Sequence, residues 1–241
     1  MTSAPIRRLL AVAAALLLVA AACGDDDDTG SAADGDAPAG ATELSGLLRL
    51  DAGSCDDAGA ATGSTFRMVQ SGGTIADGPF VPNGDSPCAD QTYTPLAAGS
   101  DGGLLLGQHQ PTPDPAFDDA GNAIAGQVTE PTTWFAVGFA TATNEVDPQT
   151  GVEVAAPVLT VDENGTVTGD LRAFAASWNG QHFNQGAPKP DGSSDGNTSA
   201  PTGTYDVDTG ALVIEWTSQI SGGAFDGFTG VWRLEGTLET S

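Results

Sequence analysis

The chain has 241 residues, with 32 acidic side chains against 7 basic ones, a net charge of −25, 33 glycines, 15 prolines and a single lysine. This excludes a nucleic-acid binder that works by neutralising phosphates, which needs a basic surface, and a polytopic membrane protein, since no second apolar stretch approaches the ~20 residues of a span. A hydrophobic content of 39% with four tryptophans is enough for one packed core and argues against full disorder.

Residues 1–22 read as a signal peptide. Arg7 and Arg8 form a short positive segment, and Leu9 to Ala22 is an apolar run of 14 residues, too short to span a bilayer. The residues flanking the arginine pair fit twin-arginine export poorly. The run ends Val19-Ala20-Ala21-Ala22-Cys23. Small residues directly before a cysteine resemble the lipobox of bacterial lipoproteins, with Ala20 where that family usually has leucine. The resemblance covers about a tenth of the chain. It implies diacylglycerol on Cys23, cleavage before it, acylation (palmitate, for example) of the new amino group, and a place on the extracytoplasmic face of the cell membrane. An ordinary secretory signal with a coincidental cysteine is the simpler alternative.

Residues 23–43 contain Asp25 to Asp28, Asp34, Asp36 and Glu43 among Gly, Ser, Ala and Pro. Such a segment buries no core and is expected to be a disordered, self-repelling tether with a reach of ~25 Å. The aspartate run lacks the defined cage that a cation site needs.

From residue 44 to 241 a single all-β domain is expected. Cys55 and Cys88 most simply form one disulfide in an exported chain. Glycine and proline interrupt nearly every window, so short strands joined by turns are favoured over helices. Trp134 to Thr141 is read as one strand, with Phe135, Val137 and Phe139 on its buried face. Pro157 to Val161 and Thr166 to Leu171 form a hairpin around Asn164-Gly165. Leu171 to Trp178 fits either a helix or a strand, and the β-context favours the strand. Thr204 to Val207 and Ala211 to Ile220 form a second hairpin, with Leu212, Ile214 and Trp216 on one face. Thr229 to Leu238 places Trp232, Leu234 and Leu238 together by the same period of two. The proline- and glycine-rich stretches 76–88, 107–132 and 186–202 are expected as loops. An antiparallel β-sandwich is preferred, with an up-and-down β-barrel as the alternative.

Several motifs carry candidate chemistry. Gly192-Ser193-Ser194-Asp195-Gly196 has the spacing of a nucleophile elbow, but no strand-turn-helix pattern surrounds it and no histidine follows it, so it is rejected. In the same loop Asp191, Ser193 and Asp195 alternate before Gly196, as oxygen ligands do in the first half of a calcium loop. Thr202 stands where the bidentate glutamate would be, and a plain loop is the simpler reading. The only histidines, His109 and His182, could form an open metal site with Asp114 if they met in space, which polar-flanked loop residues rarely do. Glu215 beside Trp216 is the one acid worth inspecting for hydrolysis, although a solvent-facing strand position explains it equally well.

Trp178, Asn179, Gln181, His182, Phe183 and Asn184 form the densest cluster of aromatic rings and amides, chemistry that suits a sugar. A core tryptophan followed by an amide-rich turn is the simpler reading. The stretches Ser177-Trp178-Asn179-Gly180 and Phe183-Asn184-Gln185-Gly186 resemble β-rich domains of exported bacterial proteins of uncharacterised role. That likeness spans a dozen residues and implies no activity. The expected protein is therefore a lipid-anchored envelope module that binds a carbohydrate or a protein partner, touches the membrane through its anchor and works without a cofactor other than a candidate calcium ion. No catalytic constellation stands out, so an enzyme is disfavoured. A small-ligand or lipid carrier and an extracytoplasmic hydrolase are the alternatives.

Overall fold

The computed structural model describes residues 40–240; the expected signal peptide, Cys23 and most of the expected tether lie outside the described residues. The chain enters through two short strands, β1 (Thr42–Leu44) and β2 (Gly46–Leu50), then β3 (Ser54–Cys55), β4 (Ala61–Thr62), the long β5 (Thr65–Thr74), β6 (Gly78–Phe80), β7 (Thr94–Pro95) and β8 (Gly103–Leu106). Two hairpins follow in β9 (Thr129–Trp134) with β10 (Val137–Thr143), and β11 (Val158–Val161) with β12 (Thr166–Asp170). Another pair is β13 (Phe174–Trp178) and β14 (Gln181–Asn184), before β15 (Ser199–Tyr205), β16 (Ala211–Gln219) and β17 (Thr229–Glu239). Among the described residues there is no α-helix, only a single 3-10 turn at Gly223–Phe225. The pairings are antiparallel throughout.

The all-β, antiparallel expectation holds. Between its two architectures, the long sheet takes the barrel-like one, running β1-β11-β12-β15-β16-β17-β2-β8. Its ends meet because only Ser45 separates β1, paired with β11, from β2, paired with β17. The Gly107 amide also donates to the Pro157 carbonyl at 2.8 Å, bringing the end of β8 to the start of β11. Strand β17 serves two neighbours on one edge, with Thr229–Arg233 against β5 and Gly236–Glu239 against β2. A second sheet, ordered β14-β13-β10-β9, packs against the first through Phe174, Phe139 and Trp134. Strands β3 and β4 form a small ribbon, where Cys55 is disulfide-bonded to Cys88 with Cα atoms 5.4 Å apart.

Alternating apolar residues build the core. Register pairs Ile214 with Leu234 and Trp216 with Trp232, so their buried side chains share one face. Aliphatic residues, including Leu48, Leu104, Leu159 and Leu212, fill the interior towards one end. At the other end the rings of Trp216 and Trp232 stack at 5.9 Å, and Phe174 of the second sheet meets both edge-on at 5.0 and 5.1 Å. These edge-to-face contacts join the two sheets, since offset and T-shaped rings are favoured by their quadrupoles.

Three local expectations change. The folded chain begins before residue 43, because Thr42–Leu44 pair with β11 and Leu44 is buried. The segment Trp134 to Thr141 is a hairpin, not one strand: Phe135 and Ala136 take φ of 50° and 59° at its two-residue turn. That reversal leaves Phe135 48% exposed while Phe139 and Ala140 are both buried. Finally, each of the three stretches expected as loops contains strand residues: β6 lies within 76–88, β9 begins at Thr129 within 107–132 and β15 begins at Ser199 within 186–202. Leu171 to Trp178 contains a strand, β13, as its β-context suggests.

Candidate functional site

The β13–β14 hairpin carries the aromatic and amide cluster. Asn179 and Gly180, with φ of 50° and 70°, form its two-residue turn, as an Asn-Gly pair favours. Pairing Trp178 with Gln181, Ser177 with His182, Ala176 with Phe183 and Ala175 with Asn184 then divides the cluster by the period of two. Trp178, Gln181 and Phe183 share one face; His182 and Asn184 share the other.

On the first face, Trp178 Nε1 donates to the Trp134 carbonyl at 2.9 Å, and its ring packs on Trp134 and Phe225. An aromatic cavity of about 40 Å³ lies beneath, between Phe66, Met68, Trp134, Trp178, Phe183 and Phe225. Gln185 is its polar contact; the side-chain oxygen accepts from Trp232 Nε1 at 3.0 Å.

On the second face, His182 Nδ1 lies 2.9 Å from Ser177 Oγ and its ring 5.0 Å from that of Phe117. Burial lowers its pKa below the usual value, against the opposing charge of Asp147. His109 is held elsewhere, with Nε2 3.1 Å from the Val154 carbonyl. Among the described residues, no three His, Cys, Asp or Glu side chains converge as a metal cluster.

Asn184, itself buried, lies at the wall of a pocket of about 440 Å³. Its Nδ2 donates to Asp147 Oδ2 at 2.8 Å and to the Arg172 carbonyl at 3.0 Å, while its own amide donates to Gln149 Oε1 at 2.7 Å. Asp147 is fully buried, and its other oxygen accepts from the amide and hydroxyl of Thr150, both at 2.8 Å. Lys189 reaches into the same place between Pro188 and Pro190. Its Nζ donates to Ser218 Oγ at 2.6 Å and to the Asn184 carbonyl at 3.3 Å. Burial lowers the Lys189 pKa from 10.5 to about 8, partly countered by the charges of Asp147 and Asp191.

The loop residues Asp191, Ser193 and Asp195 line this pocket. The Asp191 carboxylate accepts the Ser193 amide at 2.9 Å, which holds its pKa below the usual carboxylate range. It thus forms a turn beside an ammonium group, an arrangement that disfavours a second cation. Ser218 is fully buried and its hydroxyl donates to the Gly186 carbonyl at 2.8 Å, so neither it nor Lys189 presents a free nucleophile. Glu215 is paired with Arg233 at 2.8 Å.

Sequence reasoning missed Asp147, Gln149, Thr150 and Ser218. It marked Lys189 only as the one lysine of the chain. The arrangement can bind: it offers fixed amides, hydroxyls and one ammonium around a water-accessible hollow. Comparison with protein-family models, with curated proteins and with solved structures finds no match.

Proposed function

We propose that this chain is a lipid-anchored module on the extracytoplasmic face of a bacterial membrane that binds a carbohydrate without transforming it. The observation that carries the reading is the hollow at Asn184, bounded by Gln149, Thr150, Thr198, Gln219 and Ser221 as well as Lys189. Asn184 and Thr150, tied to Asp147, fix the wall of the hollow, and rim groups such as the exposed Ser221 hydroxyl suit a ligand rich in hydroxyl groups, because a hydroxyl both donates and accepts. The Cys23 lipobox and the Cys55–Cys88 disulfide support an exported, anchored setting.

A glycan array probed with the full-length protein tests the binding. A saccharide that is retained, and lost on filling the exposed rim with Ser221→Trp, supports the reading; an array with no retained saccharide overturns it. Incorporation of labelled palmitate that disappears in Cys23→Ala tests the anchor. The carrier alternative rests on the aromatic cavity. At about 40 Å³ it holds only one or two water-sized molecules, so an acyl chain enters only if the lining side chains move apart.

A further inference from the structure

The outer face of the long sheet carries a second concave surface, a groove of about 460 Å³ on the strands β5, β17, β16 and β15. Register aligns its side chains in two rows. Arg67 stands opposite Val231, which faces Thr217, which faces Ser199. Beside that row, Thr65 stands opposite Arg233, which faces Glu215, which faces Thr202. Four strands at the usual spacing make each row ~14 Å long.

Arg67 is unusual in its electrostatics. Among the described residues, Arg49, Arg172 and Arg233 each lie within 4.0 Å of a carboxylate, and Arg67 does not. In a chain with 32 acids, a guanidinium without a direct ion pair is the exception; Asp90 reaches it only through Thr92, whose hydroxyl donates to the Asp90 carboxylate at 2.7 Å. Its plane is fixed by two aromatic rings, with Cζ 3.5 Å from the centroid of Phe80 and 4.2 Å from that of Tyr93. Its polar partners are neutral: Nη1 donates to the Tyr93 hydroxyl and Nη2 to Thr92 Oγ1, both at 3.2 Å. Nε is buried with no partner. The acids around the groove are engaged already, Glu215 and Glu235 with Arg233 and Asp90 with Thr92.

We infer that this groove binds an acidic saccharide, with Arg67 taking the sugar's carboxylate and the Thr and Ser rows its hydroxyls. A guanidinium fork matches a planar carboxylate, and aromatic packing against the fork reduces the entropy lost when it does so. The exposed hydroxyls of Ser199 and Thr202 supply neutral donors and acceptors along the sheet, and Thr217, whose hydroxyl donates to the Asn197 carbonyl, holds Ser199 Oγ at 2.8 Å. The site is separate from the hollow at Asn184 and does not depend on it.

The test is titration of the full-length protein in detergent with oligogalacturonate at low ionic strength, followed by NMR of arginine Nε–H and lysine Nζ. The expected result is a shift of the Arg67 Nε–H signal with the Lys189 Nζ signal unmoved, and no shift with a neutral glucan oligomer of the same length. Arg67→Lys keeps the charge and the packed stem but loses the fork, and weakens binding ~10-fold or more. The wild-type signals decide the matter even if that variant fails to fold. The inference is overturned by equal binding of the neutral glucan, by a shift at Lys189 alone, or by no shift at millimolar oligogalacturonate. It is overturned as well if anionic phospholipid vesicles move the Arg67 signal and oligogalacturonate does not. A shift at Lys189 alone would leave the reading of the Asn184 hollow standing.

Discussion

Lys189 Nζ donates to Ser218 Oγ at 2.6 Å, and this bond joins the proline-flanked loop after β14 to the buried end of β16. The amine is the chain's only lysine, and it lies inside the fold beside two carboxylates of its own chain.

The pH dependence follows from its lowered pKa. With a folded value of about 8 against 10.5 for the free side chain, the unfolded chain holds an extra proton between those values. The contribution of Lys189 to stability therefore rises with pH through that window, by about 3 kcal/mol in total. Urea unfolding of the wild type and Lys189→Met at about pH 7 and about pH 10 should show the difference between them growing in favour of the wild type. A single lysine also gives a single Nζ resonance, which should titrate with a midpoint near 8.

Asp147 is a fully buried carboxylate satisfied by Thr150 and Asn184. Asp147→Ala leaves these donors without an acceptor and should cost about 2–4 kcal/mol in chemical unfolding. Because the charge of Asp147 raises the Lys189 pKa, the same variant should move the Nζ midpoint below about 8. An unchanged midpoint would separate the two groups.

Gln185 sits between the two stacked tryptophans. Its side-chain oxygen accepts from Trp232 Nε1 at 3.0 Å, whereas its backbone carbonyl accepts from Trp216 Nε1 at 2.8 Å. Gln185→Leu removes the first bond, together with the one its Nε2 donates to the Asn184 carbonyl at 3.0 Å, and keeps the second. The expected loss is about 1–3 kcal/mol, that of one buried donor without a partner, read from the unfolding midpoint by tryptophan fluorescence.

Gly46 stands where the long sheet closes, with φ of 116°, and a Cβ there would overlap the Glu239 carbonyl oxygen. Gly46→Ala should therefore cost roughly 2 kcal/mol or more, since neither backbone can yield without breaking the β2–β17 pairing. Gly72, with φ of 79° and open space around its Cβ position, is the comparison. Gly72→Ala carries only the left-handed backbone penalty of about 1–2 kcal/mol. Equal losses in thermal unfolding would argue that closure is not what Gly46 protects.

Much of the fold is legible in short stretches of sequence. The hairpin of β11 and β12 follows from Asn164-Gly165 between alternating residues, and the Leu212, Ile214 and Trp216 face of β16 follows from period two. The Phe135–Ala136 turn is not legible, because two residues with side chains adopt a positive φ there and nothing local distinguishes them from strand. The candidate site shows the same division. Asn184, Asp191, Ser193 and Asp195 stand out by residue type and spacing, yet Asp147 lies 37 positions from the Asn184 it holds and Gln149 lies 35 away.

By itself the sequence determined the turn-rich all-β character, the pairing of Cys55 with Cys88 and the inward faces of the later strands. The turns and faces depend on neighbours a few residues apart, through backbone preference and side-chain alternation, and the disulfide on there being only two cysteines after Cys23. Closure of the long sheet at Ser45, burial of Lys189 against Ser218 and the isolation of Arg67 from every ion pair among the described residues were decided only by the tertiary structure. Each depends on which distant strands share an edge, and strand alternation alone specifies a face without naming the partner that will cover it.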